Sequence, residues 1–373
     1  MIGYRSDCQQ AFFALLMAGL WQKEVQLLPF GEIDFAEVQR LAEEQSVVGL
    51  VAAGLERVVD TKVRKQDVLQ FIGQTLQLEQ KNQAMNYFIG VLVDKMRAEG
   101  IYTLLVKGQG IAQCYERPLW RSCGDVDFFL REDYYQNAKA FLVPLAQTVD
   151  KENLGSKHLG MTIDHWVVEL HGSLHCGLSS RVDRGLDEIQ RSILNRGHVR
   201  SWMNDKTRVF LPREDEDAIY VFTHILEHFY KGGIGLRQFC DWCRLLWTYR
   251  DSLDRDLLES RIKKMGLLSE WKAFGAFAVE FLGMPVEAMP LYDSRFAAKG
   301  VRIKDFVMEV GNFGHNRANS YYSKYPYLIR KTLSLGCRLG DLFRHATIFP
   351  LDSIRFFPSL MFNGLRSAIK GEG

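Results

Sequence analysis

No run of this sequence approaches the ~18 consecutive apolar residues that a membrane-spanning helix needs, which predicts a soluble protein. Charge of one sign is also missing. The 47 Lys and Arg face 45 Asp and Glu, for a formal net charge of +2, so no global field draws the chain to nucleic acid. Cysteine is scarce and odd in number, seven in 373 residues, and its scatter excludes a disulfide framework. A reducing cytoplasm is the expected compartment. Internal repeats and low-complexity linkers are absent, which excludes a solenoid and a string of tethered modules. The one candidate leader is the apolar run from Ala11 to Leu20. Asp7 accompanies Arg5 ahead of it and no small-x-small pattern follows before Trp21, so a first core helix is expected instead.

What is present suits a globular protein. Apolar residues make up 47% and charged residues 25%, and the length allows two or three domains. Residues 1–95 read as helical, a lid or a packing domain. Asp34 and Glu37 form a capping-box signature ahead of Phe35, Val38 and Leu41 at helical spacing. A long helix from about residue 67 carries Leu69, Ile72, Leu76, Phe88, Leu92 and Met96 on a broad apolar face and ends at Gly100. Strands are predicted over 101–106 and 125–130, with a helix over 109–116 between them. Asp133 is placed to cap a further helix through Leu142. Residues 159–163 and 166–171 make a hairpin around Asp164-His165, and 199–202 with 208–211 a weaker one. From Pro212 the pattern is helical again. Glu214 to Asp217 crowd a helix start, where the dipole favours acids, and helices follow over 236–249, 254–265 and 268–282.

Chemistry concentrates between Lys107 and Leu130. An apolar run stops at Lys107-Gly108, Arg121 follows a short helix, and Gly124-Asp125-Val126-Asp127-Phe128-Phe129-Leu130 reads as a strand. Successive strand side chains point to opposite faces, so Asp125 and Asp127 share one face. Two carboxylates stacked there repel unless a cation lies between them, and hard oxygen pairs suit Mg²⁺. Such a pair is the core of a phosphoryl- or nucleotidyl-transfer site.

This pattern resembles the uncharacterised nucleotidyltransferase family of the DNA polymerase β-like superfamily over roughly residues 96–250, with motifs at 107–130, 165–175 and 224–241. The resemblance implies an α+β fold, a polymerase β-like core of a small mixed sheet with packed helices, flanked by helical N- and C-terminal regions. It divides the chain into a helical region (1–95), the nucleotidyltransferase core (96–212), a helical domain (213–320) and a basic aromatic tail (321–373). It implies a third carboxylate, Glu169, which alternation puts on the face of Val167 and His171, away from Val168 and Leu170. Asp125, Asp127 and Glu169 would then hold one or two Mg²⁺ ions under a nucleoside triphosphate, with Lys107, Gly108 and Arg121 at its phosphates. His224, His228, Arg237 and Asp241 would line the side of an unknown acceptor: protein, sugar, small molecule or RNA. In one respect the chain departs from the superfamily. The usual Gly-Ser or Gly-Gly turn is Gly108-Gln109 here, which leaves no serine hydroxyl for the phosphates and favours, as the alternative, a catalytically inactive nucleotide-binding module of the same fold.

A competing class comes from His224-Ile225-Leu226-Glu227-His228, the inverted zinc-protease motif. Its histidines share a helix face, but no third ligand stands out. Cys240-Asp241-Trp242-Cys243 has no second Cys-x-x-Cys and apolar neighbours, so core packing is expected. His171, His175 and Cys176 are residue types that bind metal, but because they follow the Glu169 strand directly they are expected to shape the mouth of the site. The tail mixes aromatics with Lys324, Arg330, Lys331, Arg338, Arg344, Arg355, Arg366 and Lys370, a solvated face or a contact for an anionic partner.

Overall fold

A computed structural model describes residues 2–196, 199–311 and 340–357. Most of the basic tail lies outside these residues, including Lys324, Arg330, Lys331, Arg338, Arg366 and Lys370. Its two described arginines are used internally: Arg344 pairs with Glu309 at 2.7 Å, and Arg355 donates to Met265 O at 2.9 Å.

Four helices open the chain: α1 (Ile2–Trp21), α2 (Phe35–Glu44), α3 (Val48–Leu55) and α4 (Lys65–Ala98). Asp34 caps α2 as its sequence predicts, accepting from Ala36 N at 3.0 Å. The Asp34 N–H donates to Cys8 Sγ at 3.4 Å, and Glu37 pairs with Arg40 at 2.7 Å. On α4 the apolar face is divided. Met85, Phe88, Ile89, Leu92, Val93 and Met96 are buried, whereas Leu69, Ile72 and Leu76 stand about half exposed. The packed face of the helix continues into its first half through Phe71 and Thr75, and Leu69, Ile72 and Leu76 lie off that face.

Among the described residues seven strands form one mixed sheet, in the order β3-β4-β5-β2-β1-β7-β6. They are β1 (Leu104–Val106), β2 (Asp125–Phe129), β3 (Thr148–Val149), β4 (His158–Ile163), β5 (Trp166–His171), β6 (Arg200–Asn204) and β7 (Thr207–Leu211). The connecting helices are α5 (Gly108–Ala112), α6 (Glu132–Leu142) and α7 (Ser180–Arg196). α6 begins one residue before the expected cap. Asp133 therefore sits in its first turn, held by Arg131 Nε at 2.7 Å, and caps nothing. α7 goes beyond the sequence reading, although Val182, Leu186, Ile189 and Ile193 recur on one buried face.

Alternation along the strands gives the sheet two unlike faces. Val126, Phe128, Val168, Leu170, Met161, Val209 and Leu211 pack on the second half of α4 and on Tyr135 and Leu142 of α6. Leu104, Val106 and Phe129 point the other way, into a larger helical core. That core is built by α8 (Glu214–Lys231), α9 (Leu236–Thr248), α10 (Arg255–Met265), α11 (Leu268–Leu282) and α12 (Ala297–Val310), together with α1 to α3 and residues 340–357. α8 is buried almost all round. Ile219, Phe222, Leu226 and Phe229 each contribute ~1.5–3 kcal/mol by burial, and the buried acids at the helix start are paired, Asp217 with Arg200 and Asp215 with Arg213 at 3.0 Å.

Candidate active site

β1 delivers the chain into a strained turn. Lys107 adopts φ +56° and ψ −144°, a region that residues with a Cβ rarely enter, and Gly108 continues at φ +39°. The turn points the lysine along the sheet toward β2, where its Nζ lies 2.8 Å from Asp127 Oδ1.

β2 presents Asp125 and Asp127 on one face, and β5 adds Glu169 from the side. The two strands are parallel neighbours with Asp127 opposite Glu169 and Asp125 opposite Val167. Paired residues on adjacent strands share a face, so the three carboxylates converge: one oxygen of each lies within 4.8 Å of the others. Asp127 is only 2% exposed. Asp127's charge, followed by burial, pushes the Asp125 carboxyl above its usual pKa.

Cations surround this crowd of acids. Burial works against the charge of Lys107, but Asp127, Tyr220, Asp125 and Glu169 together hold its ammonium well above the ordinary lysine range. His171 Nε2 stands 2.8 Å from Asp127 Oδ1 and 3.4 Å from Glu169 Oε2. His158 Nε2 lies 3.1 Å from that same Glu169 oxygen. Burial would raise the Glu169 pKa; hydrogen bonds from His158 and His171, aided by Lys107, instead hold it far below the carboxylate range. His171 is raised in turn, its contacts with Asp127 and Glu169 outweighing burial.

His158 escaped the sequence reading, which started the hairpin one residue later. The signal was there. Asp164 and His165 both take positive φ, 48° and 64°, the signature of a two-residue turn. Such a turn fixes the register, and with it His158 stands opposite His171 and Gly160 opposite Glu169.

Gln109, the residue after Gly108, is 1% exposed and hydrogen-bonded away from the acids. Its amide donates to Asn82 Oδ1 at 3.2 Å, within a buried cluster where Asn82 in turn holds the carbonyls of Leu119 and Arg121 at 2.7 and 2.8 Å. It braces the loop into β2 and offers nothing to a phosphate.

The sequence model of an uncharacterised nucleotidyltransferase family matches residues 31–283, which include both site strands and the two helices that face them. The chain belongs to that family. No match emerges among curated proteins or solved structures.

In this nucleotidyltransferase-family chain α8 and α9 wall the site. Tyr220 of α8 lies beneath the Lys107 ammonium, 5.9 Å from ring centre to Nζ. One and two turns on, His224 and His228 meet through their Nε2 atoms at 3.1 Å. Burial lowers both: His224 well below its ordinary value, with Lys107 adding to the effect, and His228 to about 4. Glu227 holds Lys231 at 2.8 Å. Among the described residues, the acid, histidine and cysteine groups of metal-binding size are the two on the sheet, and neither includes His224 or His228. The zinc-protease motif thus lacks a third ligand in this set. Cys240 and Cys243 are fully buried in α9, as core packing requires.

Arg121 is clamped rather than free. Its Nε and Nη2 donate to Asp241 of α9 at 2.8 and 2.7 Å, and Tyr115 Oη donates to the same carboxylate at 2.7 Å. Both members of this ion pair are buried. Arg237, one helical turn before Asp241, shares the Ser122 carbonyl with Arg121, at 3.1 and 3.0 Å. Burial and then Arg121 lower its pKa, while Asp241 and Asp125 oppose the shift. Its Nε finds no hydrogen-bond partner among the described residues.

Proposed function

We propose that this chain transfers a nucleoside monophosphate from a nucleoside triphosphate to an acceptor hydroxyl in a Mg²⁺-dependent reaction, on a polymerase β-like core spanning residues 96–212. The observation that carries this reading is the convergence of Asp125, Asp127 and Glu169 from adjacent parallel strands beside the Lys107-Gly108 turn. The order of parts supports it: strand β1, glycine turn, helix α5, strand β2 with two acids, and a third acid on β5.

The donor set fits Mg²⁺. Three hard carboxylate oxygens meet, and the raised pKa of Asp125 marks negative charge that Lys107 and His171 leave only partly balanced. Asp125, Asp127 and Glu169 would hold one or two ions, which when bound neutralise phosphate charge and polarise the reacting oxygens. Gly108 gives the triphosphate a close approach to the backbone, since a Cβ there would meet only Asp125 O, at 3.5 Å. Lys107 supplies a charge to the same phosphates. Arg121, neutralised by Asp241, sets the position of the 119–123 segment ahead of β2, and Arg237 brings a further buried positive charge close enough for Asp125 to feel it. Glu169, held strongly in its charged form, orients ions and the acceptor rather than serving as a strong base. The neutral pair His224 and His228 lines the acceptor side. The buried free cysteines of the described residues suit a reducing cytoplasm.

Triphosphate binding and pyrophosphate release, with and without Mg²⁺, test the reading in the parent and in Asp127→Asn. Mg²⁺-dependent release lost in the variant supports it. Binding without release in the parent identifies an inactive nucleotide-binding module instead. Labelled triphosphates offered with cell lysate then report the class of acceptor.

A further inference from the structure

The geometry points to a second divalent-ion site on the same sheet face, built by His158, Glu169 and His171 and suited to a borderline transition ion such as Zn²⁺, Co²⁺ or Fe²⁺. This goes beyond nucleotidyl transfer and stands without it, because it rests on the donor atoms alone. One ligand atom of each residue lies within 4.8 Å of the others. The two imidazole nitrogens converge on a single atom: His158 Nε2 and His171 Nε2 stand 3.1 and 3.4 Å from Glu169 Oε2.

Those separations are informative. With bonds of ~2.0–2.2 Å to nitrogen and oxygen, donors around one ion lie ~3.0 Å apart at a right angle and ~3.4 Å apart at a tetrahedral angle. The observed pair spans these two values. His171 Nε2 also stands 2.8 Å from Asp127 Oδ1, so an ion held by this ring would take the place of that hydrogen bond, while His158 Nε2 has the Glu169 oxygen at 3.1 Å. Two imidazoles with one carboxylate leave coordination positions open, a donor set that favours borderline transition ions over Mg²⁺.

The scaffold is rigid where the donors sit. The two-residue turn at Asp164-His165 fixes the β4–β5 register, and it places His158 directly opposite His171 with ring centres 4.8 Å apart. Gly160, opposite Glu169, has no side chain of its own, and the Asp150 carboxylate lies over it in the space a Cβ would take. The His158 side chain is 36% exposed and gives an ion a path from solvent, while His171 is 12% exposed and anchors the inner side. Glu169 belongs to both clusters, so ions in the two sites would be neighbours sharing one carboxylate.

The test uses the full chain and needs no turnover. Co²⁺ is titrated and followed by its visible absorption, which intensifies when ring nitrogens and fewer waters surround it, and Zn²⁺ is titrated calorimetrically. The parent is expected to bind Co²⁺ with a spectrum distinct from the hydrated ion. His158→Gln is expected to lose far more affinity than the ~10–100-fold typical of removing an outer-shell partner, with unchanged circular dichroism. His158→Asp, which restores a donor of another kind, should regain binding with an altered spectrum. Asp125→Asn should keep the Co²⁺ spectrum while weakening Mg²⁺ binding. A parent that leaves Co²⁺ hydrated, or a Co²⁺ spectrum untouched by His158→Gln, overturns the site. Co²⁺ binding without pyrophosphate release would leave this site standing and remove only the transfer reading.

Discussion

Asp127 and Glu169 stand side by side in the parallel register of β2 and β5, and Lys107 reaches Asp127 from β1 on the other side. Val106, the residue before Lys107, is the antiparallel partner of Asp127. Three strands adjacent in the sheet thus bring their charged groups to a single patch: Lys107 from the end of β1, Asp125 and Asp127 from β2, and Glu169 from β5. Their spacing is set by main-chain hydrogen bonds rather than by side-chain flexibility.

That arrangement makes Lys107 both a counter-ion and a source of strain. Replacing it with methionine leaves Asp127 buried beside two other acids, which should destabilise the metal-free protein by about 3–5 kcal/mol, as breaking a buried pair does. Added Mg²⁺ should recover much of this. Lys107→Gly loses the same charge but relieves a backbone conformation that costs about 1–3 kcal/mol. Denaturant unfolding should therefore rank Lys107→Gly above Lys107→Met; the reverse order would show that the φ of +56° carries no strain.

Asp125 is expected to show a conflict between stability and activity. Its carboxyl is raised because Asp127 crowds it, so the folded state holds this proton more tightly than the unfolded chain. Between the unfolded and the higher folded pKa, stability from this group falls as pH rises. Asp125→Asn removes the repulsion and should raise the melting temperature at neutral pH without divalent ions. Pyrophosphate release should drop by about 10²–10⁴-fold, the several kcal/mol that ion-held charge stabilisation supplies. A variant that melts lower than the parent would contradict the repulsion.

The Arg121–Asp241 fork ties α9 to the loop ahead of β2. Asp241→Asn leaves a buried guanidinium without its counter-ion and Tyr115 with a weaker acceptor, and should lose about 3–5 kcal/mol in urea unfolding. Arg121→Lys cannot close the two-pronged contact and should fall between parent and Asp241→Asn. If Arg121 instead touches triphosphate, Arg121→Lys would raise KM with little change in stability.

Acid should loosen the wall formed by α8. The His224–His228 contact needs an unprotonated Nε2 on one of the two rings, and burial lowers His228 to about 4. Below the ordinary histidine value of about 6.5 the unfolded chain takes up protons that the folded one refuses. Stability from this pair is thus full above about pH 6.5 and lost as pH falls toward 4, by about 3 kcal/mol at most for His228 at ~1.4 kcal/mol per pKa unit. Melting temperatures of the parent and of His228→Gln across pH 4–7 should converge at the acid end.

Local pattern alone determined much of this protein. The Asp125-x-Asp127 strand, the turn at Asp164-His165, the Asp34 cap and the helices of the second half follow from alternation, turn chemistry and capping, which act over a few residues. The face of Glu169 was equally legible, because side chains on a strand alternate whatever lies beside it. Local pattern misplaces some detail: Asp133, a cap by its place in the sequence, forms an ion pair inside a first turn instead, while the apolar stripe of α7, Val182, Leu186, Ile189 and Ile193, is as legible as those of its neighbours. Other features only tertiary structure decided. Leu69, Ile72 and Leu76 recur at helical spacing as Phe88 and Leu92 do, yet stay about half exposed because the packed face of that part of α4 runs through Phe71 and Thr75. Arg121 met Asp241 across 120 positions of chain, and His158 joined Glu169 through the pairing of two strands. Periodicity says which side of an element is apolar; what comes to rest against it depends on strand register and helix docking, which no single segment encodes.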